Sequence, residues 1–171
     1  KRMSDSLYNY AQQLKIEIVR EADGKDADVA NIKNKDDLEA ASHVMLAPGT
    51  GQGGRLFRAI NSFRERILTM VTDPHQRSII NSNLTTKLSP KAHTMGKNWQ
   101  EYMFEDMPVA GAVTLLSKLQ SDVRYAEGEV LHSLAANIDM KDIRVNRLSA
   151  FVIPESCTVI SGDQFAAQIV M

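Results

Sequence analysis

A chain of 171 residues that is 43% hydrophobic can bury a core of one domain, or one domain and part of a second. Its 20 basic and 21 acidic residues leave a net charge of −1, and aromatics are only 6%. That balance excludes a phosphate-binding groove, which needs clustered excess Lys and Arg, and sparse aromatics exclude a stacking platform for bases or sugars. The single cysteine, Cys157, rules out an internal disulfide framework and is read as an incidental strand residue. No window reaches the roughly 18 apolar residues a membrane span needs. Lys1-Arg2-Met3-Ser4 enters directly into a helical pattern, and Gln164 to Met171 still reads as a strand, so the sequence is expected to be a segment of something longer.

In chain order, Ser4 to Ala22 predicts a helix, with Leu7, Tyr10 or Ala11, Leu14 and Ile18 at three- and four-residue steps and Ser4 or Asp5 as its cap. Asp23 to Lys35 is polar and reads as a loop, and Asp36 to Leu46 as a shorter helix. Ala47 to Gly54, rich in glycine, reads as the most flexible stretch. A second strong helix is predicted over Gly53 to Thr72, with Leu56, Ile60, Phe63, Ile67 and Met70 as its apolar stripe. Asp73-Pro74 has the chemistry of a helix start and opens a helix to about Leu84. Thr85 to Lys97 reads as irregular, and Asn98 to Asp106 as a short helix carrying Trp99, Tyr102 and Phe104.

The longest predicted helix runs from Pro108 to about Ile138. Val109, Ala112, Leu116, Leu119, Val123, Ala126 and Val130 alternate three- and four-residue steps, an a/d seam about 45 Å long at about 1.5 Å per residue. These seven are the candidate seam or interface residues. The three aromatics Trp99, Tyr102 and Phe104 are read as plugging the bundle end where this helix starts. Beyond it the pattern turns extended. Leu148 to Ile153, Cys157 to Ile160 and Gln164 to Met171 are separated by turns at Pro154-Glu155-Ser156 and Ser161-Gly162-Asp163. The expected class is therefore mainly α: a helical bundle over 1–140, then a linker and the first strands of an antiparallel, sandwich-like β domain over 141–171.

The chemistry of a reaction site is missing. Gly49-Thr50-Gly51-Gln52-Gly53-Gly54 precedes a helix, but Arg55-Leu56 stand where a phosphate-binding loop needs Lys and then Ser or Thr. His43, His75, His93 and His132 are far apart, and Glu129 with His132 supplies a carboxylate–histidine pair only once, where a bundle metal site needs it on two helices. No Gly-x-Ser-x-Gly elbow occurs. No catalytic, cofactor or metal residue is expected, and the protein is not expected to be an enzyme.

One passage resembles a known family. Trp99-Gln100-Glu101-Tyr102-Met103-Phe104, Met107-Pro108, the run Leu115 to Arg124 and the run Ala126 to Leu131 are similar to the end of the first periplasmic domain of GldM/PorM proteins. The run Ala150 to Ser156, Ser161-Gly162-Asp163 and Ala167-Gln168-Ile169 resemble the start of their second domain. The resemblance implies a periplasmic part of the gliding-motility and type IX secretion motor, anchored in the inner membrane by a preceding helix and paired as a homodimer. It also implies an inner-membrane partner of GldL/PorL type, which conducts protons. Through later domains it implies an outer-membrane-associated ring of GldK/GldN (PorK/PorN) type. A torque-transmitting shaft is the leading expectation. The alternative is a periplasmic helical-bundle sensor that binds a ligand between helices.

Overall fold

The computed structural model describes residues 1–142, 151–154 and 167–170. Seven helices come first: α1 (Arg2–Asp23), α2 (Glu39–Leu46), α3 (Gly53–Met70), α4 (Pro74–Asn83), α5 (Pro90–Thr94), α6 (Trp99–Phe104) and α7 (Val109–Asp142). Two strands follow, β1 (Phe151–Pro154) and β2 (Ala167–Val170). The chain divides into two compact units, Lys1–Ala135 and Ala136–Met171.

In the first unit the apolar stripes set the packing. Leu7, Ala11, Leu14, Ile18 and Val19 of α1 are buried with Leu56, Ile60, Phe63 and Ile67 of α3. Ala40, Ala41 and Met45 bring α2 onto α1, small side chains allowing the close approach. Each large aliphatic side chain removed from water contributes about 1.5–3 kcal/mol. Met70, expected on the α3 stripe, is 46% exposed, because α3 ends there and Val71 turns inward in its place.

The connections are held by side-chain caps. The Asp23 carboxylate accepts from the backbone N–H of Lys33 (2.7 Å) and Asn34 (2.8 Å), closing the loop after α1. Those bonds, the Lys33 N–H foremost, hold its pKa below the ordinary carboxylate value. Asp73 caps α4 by accepting from the His75 N–H at 2.9 Å, with Pro74 at the first position, as the dipeptide predicts. Asn98 and Glu101 form a reciprocal capping box on α6. Within the stretch expected to be irregular, Ser89 caps the short helix α5.

The glycine-rich turn has an exposed tip at Pro48, Gly49 and Thr50 and a packed base. The Gly51 N–H donates to the Ala47 carbonyl and the Gln52 N–H to that of Val44. A Cβ on Gly53 would lie 2.6 Å from Gln100 Cβ and 2.9 Å from the Met45 carbonyl oxygen. Gly53 is there because α2, α3 and α6 meet too closely for a side chain. Gly53→Ala is therefore expected to destabilise the fold by about 1–3 kcal/mol. Gly128, with nothing within 4 Å of its Cβ position, lies inside α7. Gly128→Ala is expected to stabilise by about 0.5–1 kcal/mol. Thermal melts of the two variants check both signs.

In the second unit β1 and β2 pair antiparallel, Phe151 opposite Val170 and Pro154 opposite Ala167. Pro154 is the last described residue of β1. The expected strand Cys157 to Ile160, Cys157 itself, Glu155 and Ser156 of the first expected turn and the whole of the second lie outside the described residues, and Pro154, expected in the first turn, belongs to β1. Before residue 143 the described backbone is helix and loop without a strand, so the sequence pattern of three- and four-residue spacing there is read correctly. The long helix is described as far as Asp142, past the expected Ile138.

Candidate functional site

The residues that organise the bundle around its longest helix begin at the α6–α7 corner. Asp106 adopts a positive φ of 51°, a left-handed turn that a short polar residue tolerates. Ser42 on α2 clamps the corner, accepting from the Asp106 N–H and donating to the Phe104 carbonyl, each at 3.0 Å. The first N–H groups of α7 donate to the loop before α2: Val109 to Asp37 and Ala110 to Lys35, both at 3.0 Å. Groups orphaned at a helix start are thus satisfied by backbone carbonyls. Phe104 is fully buried, and Trp99 stacks between Phe57 (5.6 Å) and Phe104 (6.1 Å, edge-on). Tyr102 does not join this plug. It is 38% exposed and lines the same cleft as Trp99 and Phe104.

Of the seven seam candidates, Val109, Ala112, Leu116, Val123 and Ala126 are buried within the chain, and Leu119 and Val130 are only half-buried. Gln120 is buried where Leu119 was expected to be. The physical reason lies in the neighbours: at about 3.6 residues per turn, the position one turn after Leu116 falls between 119 and 120, so the two straddle the seam. α1 covers the Gln120 side, through Tyr8, Gln12 and Lys15, while Leu119 borders an open cleft.

Gln120 completes a polar cluster that the sequence pattern did not reveal. The Lys15 ammonium donates to Gln120 Oε1 at 2.6 Å and to Ser117 Oγ at 3.2 Å. Gln120 Nε2 donates to the Tyr8 carbonyl (3.0 Å) and to Gln12 Oε1 (3.2 Å). Lys15 is only 7% exposed, and burial holds its pKa below the ordinary lysine value. One turn further, Arg124 reaches Asp5 (2.9 Å) and Glu127 (2.7 Å) and lies 4.5 Å over the Tyr8 ring. Contacts descend α1 from 15 to 5 as they ascend α7 from 117 to 124, so the two helices run antiparallel. Exposed ion pairs of this kind add little each; the buried cluster sets the register. A lysine on the α1 stripe at the spacing of Leu14 and Ile18 was the available signal.

Glu129 and His132 lie on the half-buried to exposed flank of α7, and among the described residues no group of three or more His, Cys, Asp or Glu is gathered as a metal would need. No described helix is long and apolar enough to cross a membrane.

The first unit is thus a helical bundle whose long helix is fixed by a buried hydrogen-bonded clamp. The sequence matches the GldM N-terminal domain family over residues 1–137, so the chain belongs to that family. This places it among periplasmic domains of the gliding-motility and type IX secretion motor. Comparison with curated protein sequences gives no match.

Proposed function

We propose that this domain is a structural, torque-transmitting element of the inner-membrane motor of the type IX secretion and gliding machinery. The observation that carries the reading is the family match over residues 1–137. The α1–α7 clamp supports it, because hydrogen bonds and an ion pair spaced along two antiparallel helices oppose their sliding and twisting. In this reading an inner-membrane helix anchors the protein, a GldL/PorL-type proton-conducting partner drives it, and later domains meet a GldK/GldN (PorK/PorN)-type ring. Torque passes through a homodimer. Leu131 (61% exposed) and Leu134 (50%) leave an apolar spot on α7 suited to a second copy. Tethering two chains raises their effective concentration to about the millimolar range, so a weak interface is occupied.

The test places single cysteines at Leu131, Leu134, Gly128 and Ser121 in the full-length protein, with Cys157 replaced by Ser. Cross-linked dimers at Leu131 and Leu134, with secretion or gliding lost on oxidation and restored by reductant, are the expected result. No cross-link at any position, together with unimpaired secretion after deletion of residues 4–138, overturns the shaft reading.

A further inference from the structure

The α6–α7 side of the bundle holds a cleft of about 340 Å³, away from the α1–α7 clamp. Its wall is apolar: Ile60, Leu88, Met103, Leu115 and Leu119, with Trp99 among the lining residues. Three charged groups share it, beside the polar side chains of Ser82, Asn83, Thr85, Ser89 and Tyr102. Lys87, Lys118 and Asp122 line the cleft, and Lys118 is paired with Asp122 at 2.6 Å, which leaves the Lys87 charge in excess. Among the described residues neither Lys87 nor the Tyr102 hydroxyl has a side-chain partner. The segment bearing Lys87 is fixed from behind. Buried Thr86 donates to Asn61 Oδ1 at 2.8 Å, and Arg64 holds the Leu84 carbonyl at 3.2 Å. The cleft is thus a set position in the fold. Leu119, on the flank of the seam away from α1, forms part of its wall.

Concave sites of roughly 300–1,000 Å³ with apolar walls and a few polar groups are the usual form of a small-molecule site. At about 30 Å³ per heavy atom, the share of a water molecule in the liquid, this cleft admits roughly ten. We propose that it binds a medium-chain acyl monoanion, the tail against Leu115, Leu119 and Met103 and the carboxylate at Lys87 and the Tyr102 hydroxyl. The excess positive charge selects an anion over a neutral or cationic amphiphile, and the volume selects one single chain over a diacyl lipid. This binding activity goes beyond the structural role and stands independently of it.

Trp99 is the chain's only tryptophan, so its fluorescence reports this site alone. Titration of the 171-residue chain with decanoate should give a saturable, one-to-one change in Trp99 emission. Hexanoate, four methylenes shorter, should bind roughly 100-fold more weakly. Lys87→Glu alters an exposed residue and leaves folding intact; it should weaken decanoate at least about 5-fold at low salt and leave decanol unchanged. Leu119→Phe, with parent-like circular dichroism, should abolish the response by filling the cleft. A non-saturating change, more than one site per chain, equal affinity for decanol and decanoate, or indifference to Lys87→Glu overturns the proposal. So does a Trp99 response to phosphatidylglycerol vesicles that free decanoate does not compete away, which would make this a membrane-contact surface.

Discussion

Leu116→Asp is expected to unfold the Lys1–Ala135 unit or to leave it barely folded, whereas Leu119→Asp should cost about 1 kcal/mol. The two leucines are three residues apart on one helix, and the sequence pattern gives them equal standing. The structure separates them. Leu116 is 1% exposed in the face that packs into the core, so aspartate there loses the leucine's burial and places a carboxylate where water cannot reach it. The combined penalty is about 4 kcal/mol or more, against a total stability of about 5–15 kcal/mol for an ordinary domain. Leu119 is half-buried on an open cleft, where aspartate stays hydrated, with Asp122 three residues on as its main unfavourable neighbour. Urea denaturation followed by far-UV circular dichroism reads both. Equal destabilisation would show that α7 sits a third of a turn from the placement described, with Leu119 inside.

The contrast shows where the sequence was informative and where it was not. Helix identities were legible because they rest on local chemistry. Asp73-Pro74 and Asn98 with Glu101 are caps whose partners lie two or three residues away. The α3 stripe from Leu56 to Ile67 is simple periodicity. What failed depends on distant neighbours. A heptad count cannot say which of two residues straddling a seam meets the neighbouring helix, so only α1 and the open cleft tell Gln120 from Leu119. Glycines between two helices read as freedom, while Gly53 is dictated by Gln100, far along the chain. Tyr102 shares its short helix with Trp99 and Phe104, but the neighbouring elements decide that it is 38% exposed while those two are buried. The apolar cleft escaped notice because its walls come from α3, the segment after α4, α6 and α7.

The buried polar cluster gives the second large effect. Gln120→Leu is expected to destabilise by about 2–3 kcal/mol, since it leaves the Lys15 ammonium in place while removing its 2.6 Å acceptor. Lys15→Met should cost less, about 1–2 kcal/mol, because Gln120 Nε2 keeps its bonds to Tyr8 and Gln12. The double variant Lys15→Met/Gln120→Leu should return to within about 1 kcal/mol of the parent or exceed it, because a buried polar pair replaced by apolar groups of similar size is often neutral or stabilising. The cycle then shows a coupling of about 2 kcal/mol or more. The dependence on pH follows from the depressed lysine pKa. Between that lowered value and the ordinary 10.5 the unfolded chain holds the proton more tightly than the folded one, so folded-state stability rises with pH across this window. The parent should therefore gain on Lys15→Met as pH is raised from about 8 toward 10.5, the difference between the two cancelling every other titrating group. Additive single variants, or a parent that loses ground to Lys15→Met over that range, would mean that Lys15 reaches water and that the α1–α7 register is set elsewhere.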